Sequence, residues 1–194
     1  MNEALAKVYL VRHGETPWTI SGQHTGRTDL PLTEQGECDA RKLTVLLKEV
    51  NFAKVFTSPL QRAWRTGELA GFGASIESDF DLMEWDYGTY EGRRTVDIRA
   101  ERPGWRLFID GCPGGETLTQ VSVRADRVIN RVRLVEGDVL IFAHADILRV
   151  IIARWLNLPA DQGRRFYLTT AALTILGYDH DLDDPVIRLL NGGQ

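Results

Sequence analysis

Short apolar runs alternate along this chain with segments in which apolar residues recur every three or four positions. The apolar runs predict strands at residues 7–11, 53–57, 138–143, 172–178 and 186–190. The periodic segments predict helices that begin after Thr33, begin at Ser58-Pro59, and span residues 117–134 and 147–156. Because strands and helices alternate, the pattern predicts an α/β fold whose mostly parallel sheet is covered by helices on both faces.

The composition is that of an ordinary folded domain. The 194 residues suit one domain with a sizeable core, and hydrophobic residues make up 43% of the chain. The net charge of -4 argues against a nucleic-acid partner, and no apolar run is long enough to cross a membrane. The chain has only two cysteines and no recognisable signal peptide, so we expect a cytoplasmic protein. We expect it to act as a monomer or homodimer.

Basic side chains follow three of the predicted strands at the point where each strand ends. Arg12 and His13 follow the first strand, Arg62 lies one turn into the helix after the second, and His144 follows the strand at 138–143. If these strands are parallel, their side chains converge beyond one edge of the sheet, where ligands of such folds bind. Two guanidinium groups, two imidazoles and a helix N-terminus would bind an anion, and a phosphoryl group suits them best.

His13 is the candidate nucleophile. Two neighbouring arginines disfavour the imidazolium form, so the neutral ring keeps a lone pair that can attack phosphorus. A single histidine after a strand is more often a structural or surface residue. Two histidines and two arginines at equivalent strand ends are much harder to explain by chance, so the pattern favours a site. The remaining histidines, His24 and His180, have no evident partners, and surface or loop positions are expected for both.

Glu84 is the candidate proton donor. It lies between Met83 and Trp85 at the start of a loop, where partial desolvation would raise the pKa of a carboxyl group. A raised pKa suits a carboxyl group to general acid catalysis. From these residues alone, an exposed loop glutamate is the simpler interpretation.

Four segments of the sequence, taken together, resemble the histidine phosphatase superfamily, also called the phosphoglycerate mutase-like superfamily. In chain order they are LVRHGET, TSPLQRA, EWDYGTYEG and FAHADILR, and the resemblance covers nearly the whole chain. It implies a three-layer αβα sandwich around a mixed, mostly parallel sheet. We expect residues 1–194 to form a single histidine phosphatase domain with a lid-like insertion around residues 86–116.

The resemblance also implies roles for individual residues. His13 would be phosphorylated transiently, and Glu84 would protonate the leaving oxygen. The phosphoryl group would be held by Arg12, Arg62 and His144. Further contacts with the substrate are expected from Thr19, Thr25, Gly26, Tyr87, Arg94 and Ala145. We expect neither a metal ion nor a cofactor, because the arginines already neutralise the phosphate.

Within the superfamily, the segments SGQHTGRTDLPLT, EWDYGTYEG and DGCPGGET are most similar to the sedoheptulose-1,7-bisphosphatase branch and related bacterial sugar-phosphate phosphatases. Two positions depart from the usual pattern. Thr19 stands where many members have asparagine, which puts one hydrogen bond to phosphate in question. Asp146 follows Ala145 where an uncharged residue or a histidine is common. Its carboxylate could weaken anion binding, point into solvent or pair with an arginine.

The expected activity is metal-independent hydrolysis of a phosphomonoester, with a small sugar phosphate or bisphosphate as the substrate. A phosphoglycerate mutase is the first alternative, although the chain is shorter than the cofactor-dependent mutases. A weakly active, phospholigand-binding regulatory protein is the second alternative, and Asp146 is the best argument for it.

An arginine-rich segment follows the EWDYGTYEG motif and leaves one question open. A second phosphate contact could come from its five arginines, which are Arg93, Arg94, Arg99, Arg102 and Arg106. Asp97 and Glu101 are interleaved with them, so a solvated helix face explains the segment equally well.

Overall fold

A six-stranded mixed sheet forms the centre of the computed structural model, which describes residues 5–193. Its strands are β1 (Val8–Arg12), β2 (Phe52–Thr57), β3 (Ile76–Ser78), β4 (Asp138–Ala143), β5 (Leu173–Tyr178) and β6 (Pro185–Gly192). They lie in the order β3-β2-β4-β1-β5-β6. The first four are parallel to one another, whereas β5 and β6 are antiparallel additions at one side.

Helices connect most of these strands. The α-helices of the described residues are α1 (Pro17–Ser21), α2 (Glu34–Leu47), α3 (Gln61–Gly67), α4 (Thr95–Glu101), α5 (Leu107–Asp110), α6 (Leu118–Val132) and α7 (Ala145–Trp155). A π-helical segment, Glu68–Phe72, follows α3, and short 3-10 helices lie at Phe80–Leu82, Gly88–Tyr90 and Ala160–Arg165. None of the helices between residues 5 and 193 combines the length and the apolar character that crossing a membrane requires.

Alternate residues of the central strands face two separate hydrophobic cores. Leu10 of β1 packs in one core with residues of α6 and α7. Tyr9 and Val11 of the same strand pack in the other core with Leu43 of α2. Helices therefore cover both faces of the sheet, which confirms the predicted three-layer αβα sandwich.

The five predicted strands are all present, and their ends lie within two residues of those expected. The additional strand β3 was missed because its three residues, Ile-Glu-Ser, form no apolar run. The helix predicted to begin at Ser58-Pro59 begins at Gln61 instead, with Leu60 at its N-cap. The backbone N–H of Ser58 donates to the carbonyl of Phe142 in β4 (3.0 Å). Ser58 therefore extends the hydrogen bonding of the sheet by one residue and does not begin the helix.

The parallel order β2-β4-β1 brings three strand ends to one edge of the sheet. Arg12 lies opposite Ala143, and Thr57 lies opposite Phe142. The residues that follow these strands therefore meet at that edge. Residues 86–116, predicted as a lid-like insertion, contain α4 and α5 and bury Trp105 and Phe108 in the first core. A lid function for this segment stays a prediction.

Candidate active site

His13 follows β1 and is 3% exposed. Its Nδ1 lies 2.7 Å from the carbonyl oxygen of Gly14. Because a carbonyl oxygen only accepts hydrogen bonds, Nδ1 carries the proton and Nε2 keeps the free lone pair. Burial, reinforced by the positive charges of Arg62 and Arg12, holds the pKa of His13 well below its usual value. The ring is therefore neutral at physiological pH.

Arg12 contributes unpaired hydrogen-bond donors beside His13. Its Nη1 donates to the carbonyl oxygen of Leu168 at 2.6 Å. Its Nε is buried and has no hydrogen-bond partner among residues 5–193. A buried guanidinium N–H without an acceptor is unfavourable, so this side chain is suited to an anion that supplies one.

Arg62 is fully buried, and its donors are used within the protein. Its Nη1 donates to the carbonyl oxygen of Thr28 (2.9 Å), and its Nη2 donates to those of Thr25 (3.1 Å) and Gly26 (2.8 Å). Its Nε donates to Nδ1 of His144 at 3.1 Å. Arg62 thus anchors the loop that contains Thr25 and Gly26.

His144 is also fully buried, and its tautomer follows from the contact with Arg62. Because Nδ1 accepts a hydrogen bond, the proton is on Nε2, which donates to Oγ of Ser58 at 2.8 Å. The His13 and His144 ring centroids lie 5.2 Å apart. The structure therefore brings His144 and Arg62 close to His13, as the strand ends predict. Ser58, the hydrogen-bond partner of His144, was expected only as a helix N-cap.

Glu84 is buried rather than exposed, so the simpler interpretation of its sequence environment is wrong. Its carboxylate accepts hydrogen bonds from the backbone N–H groups of Trp85 (2.9 Å), Asp146 (3.0 Å) and Ile147 (3.0 Å). The last two belong to the first turn of α7, which begins two residues before the predicted start. Burial and the negative charge of Asp146 raise the pKa of Glu84 to about 7.

Asp146 is buried beside Glu84 and has two partners. One carboxylate oxygen accepts a hydrogen bond from the Tyr87 hydroxyl at 2.5 Å, and the other accepts one from Nη1 of Arg149 at 2.7 Å. Asp146 therefore pairs with an arginine and does not point into solvent, and it also lies in the wall of the cavity beside His13. Arg149 was missed by the sequence analysis, although its spacing three residues after Asp146 in a helix is a recognisable signal.

A cavity of about 210 Å³, here called the inner cavity, opens beside His13. The predicted residues that line it are Arg12, His13, Thr19, Thr25, Glu84, Tyr87 and Ala145. Arg62 and His144 are absent from this lining and form a layer behind His13. Direct contact between these two residues and a phosphoryl group stays a prediction.

Gly26 and Arg94 do not line the inner cavity either. The N–H of Gly26 donates to the carboxylate of Glu91 at 2.8 Å. A Cβ on Gly26 would lie 2.5 Å from the carbonyl oxygen of Trp85, so only glycine fits there. Arg94 is exposed and forms a two-fold contact with Asp97 at 2.8 and 2.9 Å. Contact between Arg94 and a substrate stays a prediction.

Thr19 lines the inner cavity, but its hydroxyl is used locally. It donates to the carbonyl oxygen of Thr16 and accepts from the N–H of Thr16, both at 2.9 Å. The Thr16 side chain in turn caps the N–H of Thr19. This reciprocal cap begins α1 and explains why threonine stands here.

His24 and His180, which have no evident partners in the sequence, lie in different environments. His24 lines the inner cavity and packs against the rings of Tyr87 and Trp105, with centroid separations of 4.9 and 5.5 Å. His24 therefore lies in a loop, one of the two positions expected for it, but it is half-buried against two rings instead of exposed. His180 is exposed in the connection between β5 and β6, as expected.

Candidate metal ligands lie away from the inner cavity. Within residues 5–193, one group of three side chains lies close enough together to share an ion, formed by Asp179, His180 and Asp184. All three are exposed in the β5–β6 connection, and none of them lines the inner cavity.

Comparison with known proteins identifies the family. Residues 8–191 match the model of the histidine phosphatase superfamily, branch 1. The chain is 37% identical to an acid phosphatase of Mycobacterium tuberculosis, covering 96% of this chain and 93% of that protein. It is 35% identical to sedoheptulose 1,7-bisphosphatase of Saccharomyces cerevisiae, covering 95% and 84% of the two chains. It is also 33% identical to a probable phosphoglycerate mutase of Cronobacter sakazakii, covering 90% and 86%.

A solved structure of an open reading frame product from Mycobacterium tuberculosis is similar over the whole fold. It superimposes with a TM-score of 0.90 at 37% identity and covers 96% of this chain and 97% of its own. This chain belongs to the histidine phosphatase superfamily. The comparisons confirm the predicted fold class and the prediction of a phosphatase of this superfamily.

Proposed function

We propose that this phosphatase hydrolyses small-molecule phosphate monoesters without a metal ion, through a phosphohistidine intermediate on His13. The observation that carries the proposal is the hydrogen bond from His13 Nδ1 to the Gly14 carbonyl, which leaves Nε2 free beside the inner cavity. The unpaired donors of Arg12 and the buried carboxyl group of Glu84 line the same cavity. Nucleophile, anion-binding group and proton donor are therefore adjacent.

The first half of the reaction transfers the phosphoryl group to the protein. His13 Nε2 attacks phosphorus as the bond between phosphorus and the ester oxygen breaks. Glu84 gives its proton to the leaving oxygen, so the product is a neutral alcohol. Arg12 provides positive charge and hydrogen bonds for the phosphoryl oxygens. This half-reaction ends with phosphohistidine and an ionised Glu84.

The second half of the reaction restores both groups. The Glu84 carboxylate takes a proton from a water molecule as that water attacks phosphorus, and the bond between phosphorus and Nε2 breaks. Inorganic phosphate leaves, His13 is neutral again and Glu84 is protonated again. His144 and Arg62 support the step from behind His13, since their shared hydrogen bond fixes the ring beside the nucleophile.

The relatives support a small phosphorylated metabolite as the substrate class. Two of them are named as an acid phosphatase and as sedoheptulose 1,7-bisphosphatase, and both align along nearly all of this chain. We place this activity in the cytoplasm, in a monomer or homodimer, with no nucleic-acid or membrane partner. The two cysteines, Cys38 and Cys112, are unpaired, which suits a reducing compartment.

Acid quenching with substrate labelled at phosphorus tests the mechanism. We expect an acid-labile, base-stable phosphoprotein whose label maps to His13. His13→Ala should abolish both the label and turnover, while the His144→Ala protein should lose rate and retain some label. A label on another residue, or normal turnover by His13→Ala, would contradict the proposal.

A phosphoglycerate mutase is the second candidate, favoured by the relative of that name. A mutase would return the phosphoryl group from His13 to a second hydroxyl of the substrate instead of to water. Product analysis with 3-phosphoglycerate separates the two activities. Inorganic phosphate is expected from the phosphatase, and 2-phosphoglycerate without phosphate release would establish the mutase. A regulatory phospholigand-binding protein would yield neither product.

A further inference from the structure

The loop that precedes β5, residues 166–172 and here called the Leu168 loop, lies against Arg12. The Leu168 carbonyl oxygen accepts the hydrogen bond from Arg12 Nη1 at 2.6 Å. Within residues 5–193 this bond holds the guanidinium group, since its buried Nε has no acceptor. The position of the Leu168 carbonyl therefore decides where the free donors of Arg12 point.

One end of the Leu168 loop is fixed to the strand end beside the inner cavity. The N–H of Ala171 donates to the carbonyl oxygens of Arg12 (3.0 Å) and His13 (3.1 Å). The middle of the loop differs, because residues 166–169 have no regular secondary structure and Tyr167 is 74% exposed. Backbone groups of such a segment need hydrogen-bond partners from elsewhere in the protein.

The side chain of Asn191, in the last strand, supplies these partners on both sides of Leu168. Its Oδ1 accepts a hydrogen bond from the N–H of Thr169 at 3.0 Å. Its Nδ2 donates to the carbonyl oxygen of Tyr167 at 2.5 Å. One amide group thus binds the residues before and after Leu168 and leaves the carbonyl between them to Arg12.

A bulge in β6 brings the Asn191 side chain to this loop. The pairs Leu173–Gly192 and Ile175–Leu189 enclose one residue of β5 but two residues of β6. Asn191 is one of these two, and its φ of 54° lies in the left-handed region, which asparagine tolerates better than most residues. A bulge next to a functional site commonly redirects a side chain in this way.

We infer that Asn191 is a positioning residue for phosphate binding, which acts through the Leu168 carbonyl on the guanidinium group of Arg12. The inference rests on the proposed function, in which Arg12 binds the phosphoryl oxygens. Asn191 does not line the inner cavity, so its effect is transmitted through the loop. A guanidinium group held in place before phosphate arrives loses less conformational freedom on binding, which raises the affinity.

Titration calorimetry with inorganic phosphate tests this role without turnover. Asn191→Gly removes the amide group, and glycine adopts a φ of 54° without strain. We expect the dissociation constant for phosphate to rise about tenfold, as for the weakening of one charged hydrogen bond. Asn157→Gly is the matched control and should leave the affinity unchanged, because Asn157 has a φ of 57° but is exposed and does not line the inner cavity.

The Arg12→Lys background separates positioning from a general structural role. Lysine keeps the positive charge but lacks the planar set of donors that the Leu168 carbonyl orients. If Asn191 acts through Arg12, adding Asn191→Gly to Arg12→Lys should change the phosphate affinity by about twofold or less. An equal loss in both backgrounds, or no loss in the wild-type background, would overturn the inference.

The His13→Ala protein distinguishes failure of this inference from failure of the proposed function. It cannot form phosphohistidine, so its affinity for inorganic phosphate reports on the anion site alone. An affinity that Asn191→Gly lowers about tenfold in this background supports the positioning role, even if the wild-type protein hydrolyses no ester. Hydrolysis by the wild-type protein, with a KM and a phosphate affinity that Asn191→Gly leaves unchanged, supports the phosphatase and overturns the positioning role.

Discussion

His13 and Glu84 are shifted in opposite directions by their surroundings. Burial beside Arg12 and Arg62 lowers the pKa of the imidazole, whereas burial beside Asp146 raises the pKa of the carboxyl group to about 7. Near neutral pH the histidine is therefore free of its second proton, and a large fraction of the carboxyl group retains its own. These are the protonation states that a nucleophile and a general acid require.

Replacing Glu84 with glutamine should affect esters according to their leaving groups. Loss of general acid catalysis is expected to lower kcat/KM for an alkyl phosphate by roughly 10²–10⁴-fold. A nitrophenyl phosphate leaves without protonation and should be affected much less. Steady-state kinetics with both esters measure the difference, and equal losses would indicate a role in binding or folding instead.

The pH profile supplies the control for this prediction. The proton-bearing form of Glu84 exists below its pKa of about 7, so kcat/KM for the alkyl phosphate should fall as pH rises through that value. The pKa of His13 lies well below the ordinary histidine pKa of 6.5, so protonation of this imidazole does not lower kcat/KM near neutral pH. The fall above pH 7 should be absent from Glu84→Gln, whose side chain does not titrate.

Asp146→Asn should shift this high-pH limb, the fall of kcat/KM with rising pH, to lower pH. The substitution removes a negative charge that raises the pKa of Glu84, while Arg12 and Arg62 continue to favour the carboxylate. Glu84 then loses its proton at lower pH. The measurement is the pH dependence of kcat/KM for an alkyl phosphate. Asp126→Asn, which breaks a partly exposed pair with Arg154, is the control and should leave the limb in place.

At the scale of elements, close packing of two glycines brings α2 against the loop after β1. A Cβ on Gly14 would lie 2.5 Å from the carbonyl oxygen of Gly36, and one on Gly36 would lie 2.3 Å from that of Glu15. The N–H of Gly14 donates to the Thr66 hydroxyl of α3 at 3.0 Å. The glycine after His13 therefore allows two helices to pack beside that histidine.

Helix α6 holds the loop that contains Glu84 through one buried arginine. Arg124 pairs through Nε and Nη2 with the Glu116 carboxylate at 2.7 and 2.8 Å. Its Nη1 donates to the carbonyl oxygens of Asp81 (2.6 Å) and Met83 (2.9 Å). A side chain that does not itself line the inner cavity thus holds the backbone beside Glu84 in place.

Arg124→Leu should therefore destabilise the fold and weaken catalysis together. Breaking a buried ion pair by removing one partner typically costs about 3 kcal/mol or more in the free energy of unfolding. Urea denaturation measures that loss, and kcat at a temperature where the variant is folded measures the effect on Glu84. Arg127→Leu removes an exposed pair with Asp81 from the same helix, so a much smaller loss than that of Arg124→Leu is expected. Comparable losses in both variants would contradict this role for Arg124.

At the scale of the whole molecule, positive charge is concentrated at one edge of a sheet in a chain whose net charge is -4. Arg12 and Arg62 lie at that edge, beside His13 and His144. We expect these guanidinium groups to provide the electrostatic stabilisation that metal ions provide in other phosphatases.

Activity should consequently survive metal removal. Hydrolysis of an alkyl phosphate is expected at an unchanged rate after dialysis against a strong chelator. Loss of turnover, followed by recovery with one divalent ion, would refute the metal-free mechanism. Asp179→Asn serves as a control for the exposed group of potential ligands in the β5–β6 connection, and it should leave the rate unchanged.

The sequence alone predicted five of the six strands and the sheet edge at which Arg12, His13 and His144 meet. Strand patterns depend on neighbouring residues, and parallel strands must end at the same edge, so the order of residues along the chain already places Arg12, His13 and His144 together. The motif resemblance then indicated the family. These inferences need only local pattern and chain direction.

Tertiary structure decided what each polar group contacts. Asp146 pairs with Arg149 three residues further along α7, a contact that sequence spacing indicates, whereas its place in the wall of the inner cavity and its hydrogen bond from Tyr87 come from residues distant in the chain. His24 lies in a loop, as expected, and became part of the inner cavity because Tyr87 and Trp105 pack around it. In the arginine-rich segment, Arg94 pairs with Asp97 only three residues away, a contact that a sequence pattern can indicate. Burial depends on contacts between residues distant in the chain, and a periodic pattern carries no information about them.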